Sequence, residues 1–150
     1  IANHTFVPHP YPPEAAVEFI TITRDAWDNE TGYVFALIEK ARGNFVGVMG
    51  LEPEPKHHLA EIGYWIGKPH WGKGYATNAL RLIIQFGFET LNLNRLQARH
   101  FTHNPASGRV MQKAGMIYEG TSRQAFYHRE KYKDSVLYAL LKEDYDAQNT

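Results

Sequence analysis

The stretch from Gly67 to Leu91 constrains this chain more than any other. It begins where an apolar run ends, Ile62-Gly63-Tyr64-Trp65-Ile66, and passes through a glycine-rich turn, Trp71-Gly72-Lys73-Gly74-Tyr75-Ala76. A strongly periodic segment follows. Ala76, Ala79, Leu80, Ile83, Ile84, Gly87 and Leu91 recur at helical spacing on one face, with Thr77, Asn78, Arg81, Gln85 and Glu89 on the other. Strand, glycine turn and helix in this order aim unpaired backbone N–H groups at an anion. The first-turn donors have no partner within the helix, and the helix dipole adds roughly half a positive charge there. Glycine lets phosphate oxygens approach a backbone from which a Cβ would hold them off. Lys73 adds a mobile cation.

Three motifs compete for this stretch, beside the plain alternative of an ordinary strand-to-helix turn. A dinucleotide-binding fingerprint needs a third glycine at position 77, where Thr77 stands. A Walker A loop is nearly met by Gly67, Gly72 and Lys73. The Ser/Thr that holds magnesium is replaced by Gly74, and no apolar strand ends in a Walker B aspartate. From Trp71 to Ala76 the chain instead resembles the acyl-CoA loop of the GNAT acetyltransferases, Gln/Arg-x-x-Gly-x-Gly/Ala, from its second position onward. Trp71 replaces the usual Gln or Arg.

The remaining numbers narrow the class. At 150 residues the chain is long enough for one domain with a real core. Sixteen basic and sixteen acidic residues cancel, so there is no basic field for nucleic acid or an anionic membrane. Without cysteine there is no disulfide, thiolate metal site or covalent cysteine intermediate. That fits a cytoplasmic protein. No apolar run reaches the roughly 18 residues of a membrane span, and no signal peptide is visible.

In chain order, residues 1–12 are polar and proline-rich. Pro12-Pro13-Glu14 opens a helix with proline early and acid in the first turn. Ala16, Phe19, Ile20, Thr23 and Trp27 mark its expected buried face. Strands are expected over residues 33–39 and 45–51, joined at Ala41-Arg42-Gly43-Asn44, then a loop from Glu52 to His58, then a strand over 59–66. After the long helix, residues 95–101 alternate as a strand with Leu96 and Ala98 on one face. Asn104-Pro105 caps a helix that Gly115 closes. A strand begins at Met116, and Asp134 to Leu141 is the last. The order α-β-β-β-α-β-α-β-β predicts an α/β (α+β) domain, a mixed sheet with helices on its faces.

Several segments now fall into one pattern. Glu61-Ile62-Gly63-Tyr64-Trp65-Ile66, the 72–77 turn, Asn104-Pro105-Ala106-Ser107, Lys113-Ala114-Gly115-Met116 and Asp134 before a terminal apolar strand resemble the Rim-type ribosomal-protein N-acetyltransferases of the GNAT superfamily. So does Pro10-Tyr11-Pro12-Pro13-Glu14-Ala15. The likeness covers nearly all of the chain in order. Two departures stand out: Asn78 occupies a position where the family often has glutamate, and the family's first strand and helix are missing. The resemblance implies a single domain over 1–150 with a mostly antiparallel sheet whose central strands splay into a V-shaped gap. Without the family's first strand, residues 33–39 become an apolar sheet edge lacking proline or lysine. The expected cover is either about 20 to 40 further residues upstream or a neighbouring chain, as in a homodimer.

The resemblance also assigns a site. Trp71, Gly72, Lys73, Gly74, Tyr75, Ala76 and Thr77 would hold the pyrophosphate of acetyl-CoA, and Trp65, Ile66 and Gly67 its pantetheine arm. Asn104 would bond pantetheine or the acceptor backbone, and Ser107 would protonate the leaving thiolate. Many relatives use a tyrosine four residues after that serine; here the residue is Met111, which has no proton to give. Plain alternatives are core packing for Trp65 and helix capping for Asn104 and Ser107. Only a neutral amine attacks a thioester. At neutral pH deprotonation costs roughly 1 kcal/mol for an α-amine of pKa about 8, and roughly 4 to 5 kcal/mol for a lysine of about 10.4. Glu61 is the candidate base, with a solvated strand glutamate as the alternative. His100 and His103 fall on opposite faces and suggest no metal pair; no metal is expected. His57-His58 reads as a solvated loop.

The expected activity is transfer of acetyl from acetyl-CoA to a primary amine, a protein N-terminus or a small amine, in a ternary complex. A non-catalytic acyl-CoA-sensing module is the competing expectation, and a nucleotide-hydrolysing P-loop protein the third.

Overall fold

The computed structural model describes residues 4, 5, 7 and 9–150. Helix α1, Pro13–Asp28, starts as expected, with proline in its first turn and Glu14 beside it. Strands β1 (Tyr33–Ile38), β2 (Phe45–Glu54) and β3 (Leu59–Ile66) form an antiparallel meander. Helix α2, Tyr75–Gln85, follows the glycine turn and loosens into a π-helical turn over Phe86–Thr90. Then come β4 (Arg95–Phe101), α3 (Pro105–Lys113), β5 (Ile117–His128), β6 (Lys131–Leu141) and α4 (Lys142–Gln148). The sheet order is β1-β2-β3-β4-β6-β5. Only β3 and β4 run parallel; the other neighbours are antiparallel.

Strand alternation divides the residues between two faces. Met49, Leu51, Ile62, Leu96, Ala98 and Leu140 share one face by register, and they bury against α2 and α3. Leu80, Ile83 and Ile84 supply the helical side of that core, as the sequence periodicity predicts. The opposite face carries Val48, Glu61, Trp65, Arg99 and Phe101. Pairing between β3 and β4 runs from Leu59↔Arg95 to Ile62↔Ala98 and stops. Both strands continue, β3 to Ile66 and β4 to Phe101, so a wedge opens between them.

The structure corrects several expectations. No residue of α1 is buried. Phe19, Ile20 and Trp27 are 40%, 57% and 41% exposed. The helix reaches the sheet mainly where Trp27 packs edge-on against Tyr33 and Phe35. The loop expected from Glu52 is instead a continuation of β2 to Glu54 and a 3-10 turn over Pro55–His57. The π-helical turn brings Phe88 into the core at 1% exposure, a position absent from the predicted face. Strand β5 runs on to His128, well past the start expected near Met116, β6 begins three residues earlier than expected, and α4 is an additional helix. It is fastened by Tyr145, which packs on Phe88 and donates to Glu89 at 2.6 Å. Strand β1 lies at the sheet edge, and among the described residues no strand pairs with its outer side.

Candidate active site

The glycine turn sits at the end of β3. Gly72 and Gly74 have φ of 72° and 81°, the left-handed region that L side chains avoid. A Cβ on either would meet nothing within 4 Å, so the outer side of the turn is open. Gly74 is the N-cap of α2 and no side chain caps it. The Asn78 amide donates to the Gly74 carbonyl at 3.0 Å, closing the first helical turn. The amides of Tyr75, Ala76 and Thr77 are the donors that the helix itself cannot satisfy. Lys73 is exposed beside them.

Two side chains hold the turn in place. The Trp71 indole donates to the Ile66 carbonyl at 2.7 Å, folding the turn back onto β3. The one position that departs from the family's loop pattern therefore has a structural task here. The Tyr75 hydroxyl donates to Glu39 at 2.8 Å, and Asn44 donates to the other oxygen of the same carboxylate at 3.0 Å. These bonds tie the β1–β2 hairpin to the helix start and hold the Glu39 carboxyl below its usual range.

The open end of β3 follows from its ladder. In an antiparallel pair, successive residues turn their main-chain groups alternately toward and away from the partner strand. The Gly67 amide donates to the Val46 carbonyl at 2.8 Å. By alternation Trp65 also faces β2, while Tyr64 and Ile66 turn their main-chain groups toward the wedge. Of the three residues assigned to pantetheine, Ile66 therefore presents its amide to the gap. Trp65 offers its side chain instead, and Gly67 is engaged with β2.

Asn104 and Ser107 come from the start of α3, across the wedge from β3. Asn104 occupies the N-cap position but makes no side-chain cap. Among the described residues its side chain has no hydrogen-bond partner. Ser107 is held by Tyr64: the two hydroxyl oxygens lie 2.7 Å apart, and the tyrosine oxygen is 3.3 Å from the Ser107 carbonyl. Burial pushes the Tyr64 phenol up to about 12, partly offset by the Ser107 bond. Tyr64 is absent from the sequence-based site. Alternation places it on the core side of β3 with Ile62, but only the splay and the position of α3 bring it to Ser107.

Glu61 faces the other side of the sheet. Gln97 donates to one of its oxygens at 2.8 Å, and Arg99 lies 3.4 Å from the other. The strand glutamate is therefore neither free nor simply solvated. It borders a cavity of about 930 Å³ together with Trp65, Arg99, Phe101 and Ser135, and the wedge joins that cavity to Ser107 and Asn104. His4, Thr5 and Val7 also border it, so these described N-terminal residues lie over the site. His100 stacks on Tyr138 and His103 on Phe101, in separate surroundings. Among the described residues no group of His, Cys, Asp and Glu is arranged to hold a metal ion.

Comparison with known proteins agrees with this fold. The family model described as "Acetyltransferase (GNAT) domain" matches residues 2–117. The N-acetyltransferase YoaA of Bacillus subtilis is 31% identical over 130 residues, covering 86% of this chain and 73% of the relative. The ribosomal-protein-serine acetyltransferase of Escherichia coli K12 is 30% identical over 122 residues, covering 81% of this chain and 68% of the relative. A crystal structure of a GNAT-family acetyltransferase from Bacillus anthracis superposes with a TM-score of 0.79 at 28% identity, covering 89% of this chain and 76% of that one. Matched segments span 73%, 63% and 58% of the full length of three Bacillus relatives.

Proposed function

This chain belongs to the GNAT acetyltransferase family, and from that membership we propose that it transfers acetyl from acetyl-CoA to the α-amine of a polypeptide. The observation that carries the proposal is the wedge between β3 and β4, flanked by the open glycine turn and by the Tyr64–Ser107 pair. The amides of Tyr75, Ala76 and Thr77 and the Lys73 ammonium take the pyrophosphate. The Ile66 amide receives the pantetheine arm, and the thioester lies in the wedge. The amine nitrogen attacks the thioester carbonyl carbon, the C–S bond breaks, and Ser107 protonates the departing sulfur. Asn104 bonds pantetheine or the acceptor backbone.

The choice of an α-amine rests on the surroundings of Glu61. Both of its oxygens already have partners, Gln97 and Arg99, which leaves little room for an ammonium to dock directly on the carboxylate. An α-amine needs only roughly 1 kcal/mol of help at neutral pH, which Glu61 supplies through water. A small amine of similar basicity is the competing acceptor. The reading takes residues 1–150 as one domain.

A panel of acceptors tests this reading. Peptides with a free N-terminus should consume acetyl-CoA, and N-blocked peptides carrying lysine should not. Acetyl-CoA binding without consumption by any amine would replace the enzyme reading with the sensing module.

A further inference from the structure

We propose that Tyr64 is the positioning residue through which Ser107 works: a two-hydroxyl relay, Tyr64 to Ser107 to sulfur, replaces the tyrosine acid that Met111 cannot provide. The inference rests on the proposed role of Ser107 as proton donor to the leaving thiolate.

The geometry permits two arrangements of the same atoms. In one, Ser107 donates to the Tyr64 oxygen at 2.7 Å, and Tyr64 donates to the Ser107 carbonyl at 3.3 Å. Both protons are then satisfied inside the protein. In the other, Tyr64 donates to Ser107 Oγ and the serine proton is free to point into the wedge. The two differ only by rotation about C–O bonds, which moves no heavy atom. An approaching thiolate selects the second, because it alone offers the anion a donor.

A lone serine is a poor acid for this step, since giving up its proton leaves an alkoxide. Tyr64 removes that difficulty. As the C–S bond breaks, sulfur takes the Ser107 proton and Ser107 takes the Tyr64 proton. The phenolate regains, through solvent, the proton that the amine loses on becoming an amide. Atoms and charge balance with no further reagent. A tyrosine is a phenol across the neutral range, so the donor is loaded when the thioester arrives; burial pushes this phenol up to about 12, which still leaves it a stronger acid than a serine hydroxyl. Met111 cannot substitute: it is wholly buried in the core and carries no acidic proton.

The test compares Tyr64→Phe, Ser107→Ala and the double variant, with acetyl-CoA and the best peptide acceptor. Tyr64→Phe should lower kcat by roughly tenfold to a hundredfold while KM for acetyl-CoA stays within about twofold. The double variant should be no slower than Ser107→Ala alone, because both act on one proton path. Site-specific difluorotyrosine at position 64 keeps the ring and hydroxyl and should restore most of the activity. It also serves if the phenylalanine variant fails to fold. A Tyr64→Phe enzyme as fast as the parent, or losses that multiply in the double variant, would overturn the relay. If Ser107→Ala alone leaves kcat unchanged, the role of Ser107 fails first and the relay falls with it.

Discussion

The two halves of β3 have the same backbone conformation and opposite surroundings. From Leu59 to Ile62 the strand is paired on both sides, with β2 and with β4. From Gly63 to Ile66 it is paired with β2 alone. Ala60 and Ile62 in the first half are 0% and 3% exposed and belong to the core. Tyr64 and Ile66 in the second half point toward a wedge bordered by Ser107, Asn104 and the glycine turn. The difference shows where a sheet can accept a ligand. Unpaired main-chain groups are costly when left dry, so a strand that loses its neighbour inside a fold must have water or a ligand beside it. Stability should reside in the closed half and binding in the open one.

The largest expected effect lies at the open end. Gly74→Asp should reduce acetyl-CoA affinity by more than about a hundredfold, because an anion would stand at the proposed phosphate site. The domain should still fold, at a cost of about 1–2 kcal/mol for a side chain at positive φ. Calorimetry with unchanged affinity in a folded variant would dissociate the turn from the ligand. At the closed end the opposite separation is expected. Leu96 is fully buried and fills the space that Gly87 leaves. Leu96→Ala should cost about 2–5 kcal/mol of stability while the folded fraction keeps its acetyl-CoA affinity; a binding defect without a drop in Tm would blur the two halves.

The smallest effect concerns the Arg95–Glu119 ion pair, also at the closed end, with contacts of 2.9 and 2.5 Å. The arginine beside it holds the Glu119 carboxyl below its usual range. A carboxyl with a depressed folded pKa contributes stability above its unfolded pKa and loses it as pH falls through the folded value. Glu119→Gln should therefore flatten the acid limb of the stability curve below the ordinary carboxylate range. The partly exposed pair limits the change to under about 1 kcal/mol at neutral pH. An unaltered acid limb would remove the pair from the account.

Local signals carried much of this into the sequence. The alternation of Leu59–Ile66, the paired glycines 72 and 74, and the period of α2 each depend on neighbours within a few residues. So does the N-terminal proline of α3. The β5–β6 hairpin escaped because its turn is Arg129-Glu130, both at positive φ, where glycine or asparagine would be the usual signal. Gly120 and Gln124 further interrupt the alternation of β5 at register shifts. The α1 face misled because its apolar residues find little sheet to cover. Of the candidate site, Gly72 and Gly74 stood out through glycine spacing, and Asn104 and Ser107 through the family resemblance. Tyr64 and the engagement of Glu61 by Gln97 and Arg99 did not, since each depends on strands distant in sequence and on where one ladder ends.

The contrast between the two halves of β3 can be measured residue by residue through amide hydrogen exchange, with and without acetyl-CoA. The account predicts that the Ile66 amide exchanges readily in the free protein and becomes protected when acetyl-CoA binds. The amides of Ala60 and Ile62, already paired to β4, should change little. An Ile66 amide that stays equally exposed with saturating acetyl-CoA, or protection rising equally along all of Leu59–Ile66, would contradict the assignment of the open half of β3 to the acyl donor.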